Sequence, residues 1–429
     1  MTAVNVQLNI PAKPVRTPAE TALIDAFGER LTLLPGDEAV AVKRDNAVEM
    51  LKAGLPTRRV EAWHYTDLRR LLTAVPAHDT GNDAKPVAAL IEGSTVLKVL
   101  NGVSAKGKMS TDCITVQRLE EKLQDGSFAP ALELHGADDA VGAINAAFVA
   151  DGFFVDLAAG VVLDQPIELQ NVQDGGQTHV RFPVRVGNGA KATIVERQTG
   201  SGAALVSSIS HLKLGDDAEI IWVIVQDQPE SATHFGQFNA ELGKNSRLTL
   251  FVMNAGGKLV RQEIRVTAAD EGSVFTLRGV NLLSGETHCD VTMQLDHIAP
   301  HTSSTEVIRN IVTGRAHGVF QGRINVHQSA QKTDAKMACN TLLLSDDGEF
   351  STKPELEIFA DDVQCGHGAT VTEIDGGHLF YLMARGIDEK TARGLLVKAF
   401  LAEVIEEMDD EPIVEALEKL LDNWFATHG

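Results

Sequence analysis

The chain has 429 residues, and its 38 Lys and Arg face 59 Asp and Glu, a formal charge of −21. That acidity excludes general nucleic-acid binding, which needs clustered cations to displace counterions. With 44% hydrophobic and 23% charged residues, the composition is that of a folded globular chain, long enough for two or three domains or one extended repeat body. No run reaches the roughly 18 uninterrupted apolar residues of a membrane span, since the best candidate, 141–163, is cut by Asp151 and Asp156. The first residues lack a basic and an apolar leader region, and Cys113, Cys289, Cys339 and Cys365 form no CxxC pair. A cytoplasmic protein with reduced thiols is the expectation.

From the N-terminus, helical spacing runs through 17–34 and 46–53, and an amphipathic segment follows from Gly54, GLPTRRVEAWHYTDLRRLL. Residues 1–85 therefore read as a helical region and 86–151 as an α/β connection. Next come four self-similar segments: VRVGNGAKATIVE, LKLGDDAEIIWVIVQ, AELGKNSRLTLFVMN and VTAADEGSVFTLRGV. Their turn residues Gly187, Gly215 and Gly243 recur every 28 residues, and Gly272 comes 29 later. Each unit reads as strand, polar turn, strand. Hairpins of a sandwich and coils of a β-solenoid both fit such a unit, but the constant period favours the solenoid. Strand-like segments continue at 307–312, 319–326, 338–344 and 356–360, placing the β body at 152–375. The remainder, 376–429, reads as helical. Asp388 can cap a helix with apolar positions Val397, Leu401, Val404 and Met408, and Pro412 opens another bearing Ile413, Leu417, Leu420 and Trp424. The first of these stripes must cover the β body or another subunit. Nine carboxylates against the single Lys419 between residues 403 and 422 mark a solvated face.

Chemistry-bearing motifs are few. Gly102-Val-Ser-Ala-Lys-Gly107-Lys108 begins like a phosphate-binding loop, but Met109 stands where Ser or Thr would hold Mg²⁺, so a lysine-bearing turn is expected. HExxH, GxSxG and GxGxxG are absent. Candidate ligands remain at His288 with Cys289, at His297 with His301, and at Cys365 with His367. In a strand the first pair would face opposite sides, whereas Cys365 and His367 share one side, flanked by Gly366 and Gly368, with Glu373 and Asp375 nearby. Two ligands do not close a metal site, so this pair reads as a half-site that a second chain completes.

KPELEIFADDVQCGHGATVTEIDGGHLFYLMARGID, starting at Lys353, resembles the C-terminal hallmark of the SufB/SufD family of iron–sulfur cluster assembly proteins, on its SufD side. INAAFVADGFFVDLAAGVVLDQPIEL and RAHGVFQGRINVHQSAQKTDAKMACNTLLLSDDGEF extend the resemblance across nearly the whole chain. It implies a mainly β fold with a right-handed parallel β-helix core between helical regions. It further implies a non-catalytic scaffold subunit that pairs with SufB, docks the ATPase SufC through the helix bearing Val397, Leu401, Val404 and Met408, and aids iron acquisition. His367 would act at the SufB interface, with Cys365 a weaker metal-ligand candidate. No cofactor would be tightly bound alone, an iron–sulfur cluster would be held transiently in the complex, reduced flavin is compatible with the complex, and the isolated chain could form a homodimer. GEFSTKPELEI lacks the cysteine that SufB-like chains carry there, and Thr372 replaces a glycine usual in the family. The rival reading is a β-helix polysaccharide lyase or hydrolase, which would need paired carboxylates and aromatic platforms along one groove. A metal-storage protein would need a complete ligand shell.

Overall fold

A computed structural model describes residues 15–78, 83–105 and 109–428. Four small strands come first: β1 (Thr95–Leu100), β2 (Val103–Ser104), β3 (Met109–Ser110) and β4 (Ile114–Arg118). The repeat body then contains β5 (Asp151–Leu157), β6 (Ile167–Gln173), β7 (Gly176–Val186), β8 (Lys191–Gly200), β9 (Ala204–Leu214), β10 (Glu219–Gln226), β11 (Thr233–Leu242) and β12 (Arg247–Asn254). It continues through β13 (Leu259–Ala268), β14 (Val274–Leu283), β15 (His288–His297), β16 (Ser303–Val312), β17 (His317–Val326), β18 (Asp334–Leu343), β19 (Glu349–Ile358) and β20 (Gln364–Thr372). Even-numbered strands from β6 to β20 form one sheet and odd-numbered strands from β5 to β19 the other, all in parallel register. The result is a parallel β-solenoid of about eight turns, as the sequence period requires.

The periodic turns combine two constraints. At Gly187 and Gly243 a Cβ would come within 2.5 Å of Ala159 N and 2.8 Å of Leu214 O, so these glycines are set by the close stacking of coils. Two residues later the backbone turns left-handed, at Gly189 (φ 67°), Asp217 (φ 56°), Asn245 (φ 53°), Gly272 (φ 75°) and His301 (φ 58°). Gly272 thus belongs to the second position, not to the column of Gly187, Gly215 and Gly243.

Inside the solenoid the two sheets enclose a stack that includes Trp222, Leu250, Phe238, Ile264 and Phe320. A row of buried amides runs beside it. Asn171 Nδ2 donates to Gln198 Oε1 (2.8 Å), Asn254 to Asn281 (2.8 Å), Asn281 to Asn310 (2.7 Å), and Asn310 to Thr341 Oγ1 (3.0 Å). Parallel stacking places like residues directly above one another, so these amides can meet in the next coil, although in the same row Gln198 donates to Glu196 and Ser208 and Gln226 to the Gly256 carbonyl.

Both outer faces are covered by helices. Over the odd-numbered sheet lie α1 (Pro18–Arg30), α2 (Glu38–Ala53) and α5 (Ala140–Phe148), with α3 (Leu68–Leu71) and α4 (Leu119–Gln124) in the same N-terminal region. Thr17 and Glu20 form a capping box on α1, and Arg44 of α2 donates to the carbonyls of Pro35, Ala146, Ala147 and Val149. The expected amphipathic continuation after Gly54 is instead a 3-10 turn, Glu61–Trp63, and the single turn of α3. Trp63 is fully buried beneath the Arg261 guanidinium, 4.3 Å from its ring centroid.

On the even-numbered sheet lie α7 (Glu389–Ile405) and α8 (Glu411–His428), preceded by α6 (Gly376–Met383). Asp388 caps α7 by accepting from Thr391 N, and Ile413, Leu417 and Trp424 are buried, although Leu421 rather than Leu420 completes the buried stripe. No helix among the described residues is long and apolar enough to cross a membrane.

Candidate functional site

The last coil is open. Every residue of β6 is buried, but no residue of β19 or β20 is. Strand β20 pairs only with β18, placing Cys365 beside Ala335, His367 beside Met337 and Ala369 beside Cys339. Those three β18 side chains belong to the interior core. By the alternation of a strand, Cys365 and His367 therefore continue the interior rows, with no further coil above them. His367 is exposed, whereas Cys365 is half-buried against the core. Burial pushes the Cys365 thiol up, a backbone hydrogen bond at Ala335 opposes this, and the carboxyls of Asp334 and Glu306 add to the rise. At Gly366 and Gly368 a Cβ would meet nothing within 4 Å, so the surroundings of the pair are clear.

Glu306 lies in the same interior row as His367, with Met337 between them and Leu277 beneath. Two ladder steps separate Glu306 from the open end, roughly 10 Å. Its carboxyl is fully buried and neither oxygen has a well-formed hydrogen-bond partner among the described residues, so burial raises it to about 8, against the weaker opposing influence of a loose contact with the Ser304 hydroxyl and of the Arg278 charge. Glu196, also interior, contrasts with it: Ser208, Ser210 and Gln198 all donate to its oxygens. Ser304, two residues before Glu306 on β16, meets buried His297 at 3.2 Å, and His297 also meets Thr302 at 2.8 Å. Sequence reasoning missed Glu306. An acid at an interior position of a repeating strand was the available signal.

The other ligand candidates do not assemble. His288 bonds Thr66 (2.9 Å) and meets His317 edge-on, and burial lowers it to about 4, while Cys289 faces the core. His301 occupies the left-handed turn position away from the bonds of His297. Asp375 accepts from His378 N and caps α6. Among the described residues no group of three or more His, Cys, Asp or Glu is arranged to hold a metal ion. Of the phosphate-loop-like segment, Gly102 forms the turn between β1 and β2, and residues 106–108 lie outside the described residues.

The stripe Val397, Leu401, Val404 and Met408 is not open for docking. All four side chains are buried with Val223, Val225, Phe251, Met253 and Val280 on the flank of the even-numbered sheet. The physical reason is that this outer face is itself apolar and needs a cover. Arg278–Glu407 and Arg309–Glu403 ion pairs hold α7 there. Apolar exposure lies instead at Phe380 (73%) and Tyr381 (55%) of α6, and also at Met383 in α6 and Leu395 in α7. On the opposite flank a groove of about 780 Å³ runs over the odd-numbered sheet, but its Glu61, Glu263 and Glu355 are paired with Lys353, Arg265 and Lys353. Among the described residues buried Trp63 is the one Phe, Tyr or Trp lining it, which gives the glycan-cleaving reading no platform.

A family model described as "SUF system FeS cluster assembly, SufBD core domain" matches residues 169–400. The chain belongs to the SufB/SufD family. It is 27% identical over 90% of its length to an iron–sulfur cluster assembly SufBD family protein of Synechocystis, covering 91% of that protein. To the SufD of Escherichia coli it is 26% identical, over 85% of this chain and 88% of the relative. The chloroplastic protein ABCI7 of Arabidopsis thaliana is 26% identical, over 86% and 83%. Within the SufB/SufD family the chain stands on the SufD side, and its role is in iron–sulfur cluster assembly.

Proposed function

We propose that this SufB/SufD-family chain is a non-catalytic, cytoplasmic subunit of a SUF scaffold complex, and that its open solenoid end contributes half of a cluster-building site shared with SufB. The observation that carries this reading is the exposed His367 beside half-buried Cys365 on an uncovered interior face, with too few ligands among the described residues around them to hold iron alone. An imidazole, when neutral, offers a lone pair to iron or takes up a proton, and its open glycine neighbours admit another chain. Burial disfavours the thiolate of Cys365, so a thiolate from the partner is the first sulfur ligand in this reading. Iron and sulfide are cargo, held while both subunits contribute ligands, and a reduced flavin would act only in the complex.

The docking surface for the ATPase SufC is assigned to α6 and the first turns of α7, where Phe380, Tyr381 and Leu395 are exposed. Co-expression with SufB and SufC tests both assignments. His367→Ala should leave all three chains co-purifying while the iron and sulfide content of the complex falls to background. Phe380→Asp with Tyr381→Asp should release SufC and keep SufB. Full cluster content in the His367 variant would overturn the half-site.

A further inference from the structure

Among the described residues five arginines are buried, and the side chains of four of them have hydrogen-bonding partners. Arg44 meets four carbonyls, Arg181 meets Asn145 and Ala131, Arg261 meets Glu263 and Asp290, and Arg278 meets Glu407 and Thr305. Arg30, in the last turn of α1, is the exception. Only 8% of it is exposed, and its Nη1 is sealed without a partner among the described residues. Its guanidinium carbon lies 5.4 Å from the Phe148 ring centroid. Burial lowers its pKa to about 10, with no carboxylate opposing the shift. In a chain with 59 acidic side chains, a buried cation without an acid is a costly arrangement that an external anion would relieve.

Arg30 lines a cavity of about 340 Å³ at the first-coil end of the solenoid, where the β1–β2 turn approaches β7 and α5. Among the described residues no Asp or Glu lines it. Leu33, Leu34 and Phe148 supply apolar wall, and Gln177 and His179 supply polar atoms. His179 is held in place: its ring stacks on Phe148 at 5.0 Å, and its Nδ1 lies 2.8 Å from Ser207 Oγ. The wall is thus fixed before any ligand arrives, which reduces the ordering cost of binding.

We propose that this cavity binds a small organic anion, its carboxylate or phosphate head against Arg30 and its apolar body against Leu33 and Leu34. The site is separate from His367, which lies at the other end of the stack. Calorimetric titration of the full-length chain at fixed ionic strength, with phenyl phosphate, benzoate and phenol, tests it. Saturable binding of at least one anion is expected, with phenol weaker on the order of 10–100-fold, the usual worth of a charge-assisted pair. The preference between the two anions identifies the head group. Arg30→Met should lose the anion binding by the same factor and, without ligand, melt no lower than the native chain, because a buried charge has been removed. Hydrogen exchange of the native chain gives a check that needs no variant: phenyl phosphate should protect the end of α1 and the β1–β2 turn. Absence of saturable binding, unchanged affinity in Arg30→Met, or protection confined elsewhere would overturn the proposal.

Discussion

The two ends of the solenoid are built differently. At the first coil both sheets are extended by short strands, β1 and β2 on one side and β4 and β3 on the other, and the added pairings β1–β2, β3–β4 and β4–β5 are antiparallel. They interrupt the parallel ladder, and α5, buried at every residue, packs against the flank nearby. At the last coil the ladder stops at β19 and β20 with its interior rows uncovered. An end that is blunted and buried serves stability, whereas the end left open exposes interior rows and is where the proposed second chain would sit. Chemistry sits accordingly: His367 is at the open end, and Arg30 is enclosed near the closed one.

Several measurements would break or sharpen that contrast. Phe148→Ala, in α5, should cost about 3–5 kcal/mol in denaturant unfolding, the range for deleting a buried aromatic ring, while Phe359→Ala at the open end, 63% exposed, should stay within ~0.5 kcal/mol. Equal losses at the two sites would remove the distinction.

The next largest effect concerns Glu306. Its folded pKa, about 8, lies above the ordinary carboxylate value of 4.5, so between these limits the folded chain binds a proton that the unfolded chain has released. Stability should therefore fall as pH rises through that window, by on the order of a few kcal/mol, and Glu306→Gln should flatten the decline. An unaltered pH profile in the variant would show that the carboxyl is not the cause.

Asn281→Ala interrupts the amide row and leaves Asn254 and Asn310 each short of a partner, which should cost about 1–3 kcal/mol by thermal or chemical unfolding. The smallest change is expected in thiol labelling of the native chain. Exposed Cys113 should react first and half-buried Cys365 more slowly, while buried Cys289 and Cys339 remain protected, the latter pushed up to about 12 by burial. Protection of Cys365 equal to that of Cys339 would mean that the end is closed in solution.

The sequence by itself determined the repeat, since a 28-residue period with turn glycines permits few architectures other than stacked coils. It also determined the capping of α7 by Asp388 and the pairing of Cys365 with His367 on one face, because both follow from local geometry. The same period carried the amide row of Gln198, Gln226, Asn254, Asn281 and Asn310, which can be read once interior and exterior positions are distinguished. Only the tertiary structure decided which apolar faces meet. Val397, Leu401, Val404 and Met408 announce a buried stripe, but whether it covers the chain's own sheet or a partner depends on the outward residues of β10, β12 and β14, far away in sequence. Arg30 and Glu306 were silent for the same reason: a charged side chain becomes unusual only when folding removes its water and supplies no partner, and that depends on the whole set of neighbours.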